Sequence, residues 1–125
     1  MKNETSQLGQ WGESIACDML VGKGYAIIGR NMRIGRIEID ILAMKDNRVA
    51  VVEVKTRRHP DEDPTFGIDR QKVMRLAKAG TAYLRANELP HELQIDLVFI
   101  TGSPDDGYTV DHRPDAFLPP RKSIR

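Results

Sequence analysis

Between Leu8 and Leu20 the apolar residues Leu8, Trp11, Ile15, Ala16, Met19 and Leu20 recur at helical spacing. Ser6 is placed to cap this helix, and Gly22 and Gly24 to end it. The pattern then shortens to that of strands. "YAIIGRNMR", "RIEIDILAM" and "VAVVEVKTR" read as three in succession, and "PDEDPTFG" as a loop. Asp69 can cap a second helix reaching about Asn87, with Ile68 and Val73 as a hydrophobic staple. Its apolar face is Val73, Leu76, Ala77, Tyr83 and Leu84. "LQIDLVFIT" is apolar enough for a central fourth strand, and "YTVDH" makes a short fifth after the turn "SPDDG". This order predicts an α/β fold, a mixed β-sheet with helices on its faces. Residues 1–125 form one expected domain, with a polar tail over about 1–6 and a second tail over about 119–125.

Composition narrows the class. A chain of 125 residues can bury roughly two-thirds of its unfolded surface. The opening "MKNETSQ" has no apolar h-region, and no apolar run approaches the ~20 residues of a membrane span. The single cysteine, Cys17, excludes an internal disulfide framework and reads as a small packing residue within the first helix. His59, His91 and His112 lack zinc-ligand spacing. The expectation is a cytoplasmic protein with no membrane partner. A net charge of +1 does not announce a nucleic-acid binder. Lys55, Arg57, Arg58, Arg70, Lys72, Arg75, Lys78 and Arg85 nevertheless cluster in one stretch, which suits either an anionic ligand or an ordinary solvated surface.

The third strand raises a chemical question, because "VVEVKTRRHP" places Glu53 and Lys55 on one side of a valine-rich run. "KDNR" before it is a turn with Asp46 and Asn47 at its tip. A hairpin symmetric about that pair sets Leu42 opposite Val51, Asp40 opposite Glu53 and Glu38 opposite Lys55. All six side chains would share one face, with Ile37, Ile39, Ile41, Ala50, Val52 and Val54 on the other; a bulge would shift this register. Glu38 with Lys55 is readable as a cross-strand ion pair. Asp40 with Glu53 is not, since like charges about 5 Å apart destabilise a sheet. Either one carboxylate takes up a proton or a hard divalent cation sits between the two. Mg²⁺ suits oxygen ligands and substrate phosphate, and it can generate the nucleophile for phosphodiester hydrolysis. Lys55 could orient the attacking water, deprotonate it if its pKa is depressed, or steady the transition state.

Asp40…Glu53-Val54-Lys55 resembles the signature of the PD-(D/E)XK nuclease superfamily. "GQWGESIACDML", "GYAIIGRNMR", "EIDILA", "VVEVKTR" and "QIDLVFI" more narrowly resemble successive blocks of the bacterial YraN family, over about residues 8–118. That family is regarded as predicted endonucleases related to archaeal Holliday-junction resolvases. The resemblance implies a restriction-endonuclease-like fold and a DNA endonuclease dependent on Mg²⁺, for which Mn²⁺ could substitute. It implies selectivity for branched DNA and, by analogy with resolvases, a homodimer. Asp40, Glu53 and the Val54 carbonyl would bind the metal, and Lys55 would serve the attacking water. Glu13, by itself readable as a surface glutamate, becomes a ligand directly or through water. Arg30, Asn31, Arg33, Arg57 and Lys72 would meet the nucleic-acid backbone, Lys72 at a helix N-terminus suited to phosphate. One departure stands out: Ile37 occupies the position before "EID" where the family usually has glycine, and Gly35 lies two residues earlier.

The alternative is a nucleic-acid-binding module of the same fold with little or no catalysis. Trp11 reads as core or interface, Tyr83 as packing the second helix on the sheet. Asp96 reads as an acceptor of hydrogen bonds from neighbouring loops, and nothing gives His112 a catalytic role.

Overall fold

The computed structural model describes residues 4–61 and 70–116, with side chains from residue 7 onward. α1 (Glu4–Gly22) leads to β1 (Ala26–Ile34), β2 (Ile37–Lys45) and β3 (Arg48–Arg57). α2 (Arg70–Ala86), β4 (Glu92–Ser103) and β5 (Gly107–Arg113) follow. The strands form one sheet in the order β1-β2-β3-β4-β5. β3 and β4 are parallel, and the other neighbours are antiparallel. A parallel pair needs a crossover, which α2 supplies. The fold is therefore the expected α/β type, a five-stranded mixed sheet flanked by two helices and consistent with a restriction-endonuclease-like arrangement. No helix among the described residues is long and apolar enough to cross a membrane.

Each helix buries its apolar stripe on one face of the sheet. Ala16, Cys17 and Leu20 of α1 pack with Ile41, Ala43, Ala50, Val52, Val98 and Ile100. Leu76 and Ala79 of α2 pack with Ile39, Leu42, Val49, Val51 and Ile95 on the other side, with Tyr83 at the margin. α2 approaches the sheet closely at Gly80, where a Cβ would lie 2.6 Å from Leu93 and 2.9 Å from Val51. The sequence reading left Ala79 and Gly80 out of this face because neither has the bulk that marks an apolar stripe.

α1 begins at Glu4, so Ser6 lies within the helix instead of capping it, and the expected N-terminal tail is shorter. Its other end behaves as expected. Gly24 takes a φ of 95°, while Tyr25 N–H bonds to Leu20 O and Gly24 N–H to Val21 O, a Schellman stop. Asp69, Ile68, the acidic loop beyond Asp61 and the tail 119–125 lie outside the described residues.

The β2–β3 hairpin has the expected register from Lys45–Arg48 to Ile41–Val52. There the ladder stops. Asp40 and Glu53 are not a cross-strand pair, and neither are Glu38 and Lys55; Glu38 instead pairs with Arg33 of β1. Asp40 Oδ2 accepts a hydrogen bond from the Val54 N–H at 2.8 Å. The expectation that Ile37, Ile39 and Ile41 share a face also fails, since the first two pack on the α2 side and Ile41 on the α1 side. The change of face falls at Asp40, just where the ladder to β3 ends. Asn31, between the pairs Arg30–Ile41 and Met32–Ile39, has a φ of 51°. This left-handed residue lies level with Asp40, so the irregularity falls at the same height on both strands.

Candidate active site

The site lies where β2 and β3 part. β3 keeps its pairing with β4 through Arg57, so Glu53, Lys55 and Arg57 alternate onto the face carrying Val51, the α2 side. Glu53 is only 4% exposed. Lys72, in the first turn of α2, places its Nζ 2.9 Å from Glu53 Oε2. Asp40 reaches into the gap from β2 and is tied to β3 through Val54 N–H.

Glu13 comes from the opposite face on α1. It lies close because Gly12 meets β3 at Thr56, where a Cβ would fall 3.0 Å from Thr56 Cβ and 3.1 Å from Thr56 Cγ2. Rotating the threonine cannot relieve both contacts. Gly12→Ala is therefore expected to destabilise the fold by about 1–2 kcal/mol in urea titration, because the helix must lift from the strand. An unchanged midpoint would show that α1 can shift without cost.

Burial raises the Asp40 carboxyl to about 7, helped by the neighbouring Glu53 charge and only partly opposed by the Val54 N–H. Burial likewise raises Glu13, against a hydrogen bond from Asn31 and the charge of Arg30. Glu13 Oε1 is buried without a hydrogen-bond partner, and Arg30 Nη2 stands 3.9 Å away. For Lys72, burial alone would lower the pKa, but the hydrogen bond and charge of Glu53, with Asp40, outweigh it and hold it above the usual value. Acid groups from three elements thus feel one another, with Lys72 as a cation among them.

The expected nucleic-acid contacts divide in two. Arg30, Asn31 and Arg33 are exposed on β1, the first two beside Glu13, and Arg30 also donates to Ser14 Oγ. Arg57 and Lys72 are half-buried and engaged within the protein, Arg57 Nε donating to Thr101 Oγ1 at 3.0 Å.

A family model described as "Uncharacterised protein family UPF0102" matches residues 12–100, a span that holds Glu13, Asp40, Glu53, Lys55 and Lys72. The chain belongs to this family. A UPF0102 protein of Bacteroides thetaiotaomicron is 35% identical over 118 residues, covering 94% of this chain and 97% of the relative. One from Flavobacterium johnsoniae is 36% identical over 119 residues, covering 91% and 96%. UPF0102 is the YraN family that the sequence blocks resemble, so that resemblance is borne out at the level of the family.

In this UPF0102 chain the donor set at the site is all oxygen, with one buried carboxylate oxygen lacking a partner, and such a set fits a hard divalent cation. Among the described residues no three His, Cys, Asp or Glu side chains are grouped tightly enough to hold an ion by themselves. Asp40 and Glu53 could hold one with the Val54 carbonyl and water, Glu13 joining directly or through water.

Sequence reasoning missed a second polar cluster in the core. Asp96 is fully buried and accepts hydrogen bonds from Tyr25 Oη (2.9 Å), Gln94 Nε2 (2.8 Å), His112 Nε2 (2.9 Å) and Asp115 N–H (3.0 Å). Lys23 Nζ lies 2.9 Å from His112 Nδ1. An ammonium can only donate, so Nδ1 accepts and Nε2 carries the proton given to Asp96. Burial would raise the Asp96 pKa, but these donors outweigh it and hold it below the usual range. The expectation of Asp96 as an acceptor from neighbouring loops is met by Asp115; its bonds to His112 and Tyr25 were not foreseen.

Proposed function

We propose that this protein is a divalent-metal-dependent endonuclease hydrolysing phosphodiester bonds in DNA, selective for branched structures and acting as a homodimer. The observation that carries this reading is the meeting of Asp40 and Glu53, both largely buried, at the open end of a hairpin. Burial and the Glu53 charge raise the Asp40 carboxyl to about 7, a cost that a bound cation would offset. Membership of UPF0102 supports it through the motif that the family resemblance supplies.

Mg²⁺, or Mn²⁺ in its place, would polarise the phosphoryl oxygen and supply an activated water. Asp40, Glu53 and the Val54 carbonyl would hold it, with Glu13 bearing on the same region from α1. Lys55, on the Glu53 side of β3, orients the attacking water or steadies the charge developing on the phosphate. Arg30 and Asn31 beside Glu13, with Arg33 further along β1, offer exposed donors for the flanking backbone.

The test is cleavage of single-stranded, duplex, flap and four-way-junction DNA with Mg²⁺ or Mn²⁺ and with EDTA. Metal-dependent cutting, strongest on the branched substrates, is expected. Lys55→Ala should lose about a hundredfold in rate, the scale of one positioned proton-transfer group. Salt-dependent DNA binding without cutting in either metal would favour the non-catalytic binding module.

A further inference from the structure

The contact between Lys72 and Glu53 has a meaning beyond charge pairing. Lys72 stands on α2, Glu53 is almost fully buried on β3, and their charged atoms are 2.9 Å apart. The resemblance assigned Lys72 to DNA, whereas here its ammonium lies on a carboxylate proposed to bind metal. We infer that Lys72 is the counter-ion of the metal-free site, held on Glu53 until a divalent cation displaces it. This rests on the proposed metal site and adds an order of events: cation first, then a freed Lys72 to meet phosphate.

The physics requires such a residue. Without a cation, Glu53 would be a buried carboxylate beside Asp40 and Glu13, which is costly unless paired. A lysine suits this role better than an arginine, since its single ammonium on a flexible stem can withdraw without breaking a bidentate fork. The lysine therefore both supports the folded metal-free protein and competes with the ion. If the pair is formed about nine-tenths of the time, apparent metal affinity falls about tenfold.

The test is Mn²⁺ binding to the full chain by calorimetry, with thermal melts alongside. Lys72→Met should bind Mn²⁺ about tenfold more tightly than the wild type, melt lower without metal and gain more on its addition. Lys72→Arg should retain weak, wild-type-like binding. Lys55→Met, a charge removal on the same strand face, should change affinity much less. If Lys72→Met does not fold, Lys72→Gln carries the comparison. Equal or weaker binding in the Lys72 variant, or equal tightening in Lys55→Met, would overturn the inference. Mn²⁺ binding that Asp40→Asn abolishes would leave the metal site itself standing in that event. Binding that is absent, or indifferent to Asp40→Asn, would remove both.

Discussion

Asp40→Asn is expected to make the metal-free protein more stable at pH 8 while removing its metal-dependent cleavage. The amide oxygen can still accept the Val54 N–H, so the local hydrogen bond survives. What disappears is a charge that burial and Glu53 disfavour, raising this carboxyl from 3.8 to about 7. The folded state therefore holds a proton that the unfolded state has released, and stability falls as pH rises from about 4 to about 7. Each pKa unit is worth about 1.4 kcal/mol, so a gain of about 2 kcal/mol at pH 8 is a conservative expectation. It should vanish near pH 3, where the carboxyl is largely protonated in both states. Denaturant titrations at the two pH values measure this, and equal stability at pH 8 would mean that Asp40 is not strained by its charge. The loss of cleavage should approach a thousandfold, because the metal is asked to supply several kcal/mol of transition-state stabilisation.

Asp96→Ala should be the most damaging single change to the fold, costing about 3–5 kcal/mol. It would leave Tyr25, Gln94, His112 and the Asp115 amide without their shared acceptor, and open a void under the sheet. Asp96→Asn should be little better. Its NH₂ group would face donors in either orientation, Tyr25 and His112 in one, Gln94 and the Asp115 amide in the other, and His112 cannot change tautomer without opposing Lys23. The folded pKa of Asp96 lies below its ordinary value, so this contribution is present above about pH 4 and is lost as pH falls through the folded value. A loss under 1 kcal/mol in urea titration would show that water can replace the carboxylate.

These two acids mark what the sequence could and could not convey. Asp40 and Glu53 stood out because a two-residue turn at Asp46–Asn47 sets the hairpin register, but that register holds only as far as Ile41–Val52, one pair short of them. Beyond that pair the strands part at Asp40, level with Asn31, which leaves the pleated conformation on β1. A signal existed, since asparagine is enriched at positive φ and stands in the middle of "GRNMR". Only Gln94, two residues away, is a local partner in the Asp96 cluster; the others come from positions 25, 112 and 115, brought together by the folded sheet. Lys72 was visible as a helix-start cation, but its pairing with Glu53 depends on how α2 docks, which periodicity does not specify.

The proposed metal-dependent nuclease chemistry rests on Asp40 and Glu53. Its most direct test is cleavage of a four-way DNA junction by the wild type and Asp40→Asn, purified in parallel, with Mg²⁺ and with EDTA. Cutting is expected from the wild type in Mg²⁺, none in EDTA, and none above background from a variant that is folded and at least as stable. Equal cutting by the two proteins would contradict it, because the chemistry would then lie outside this site.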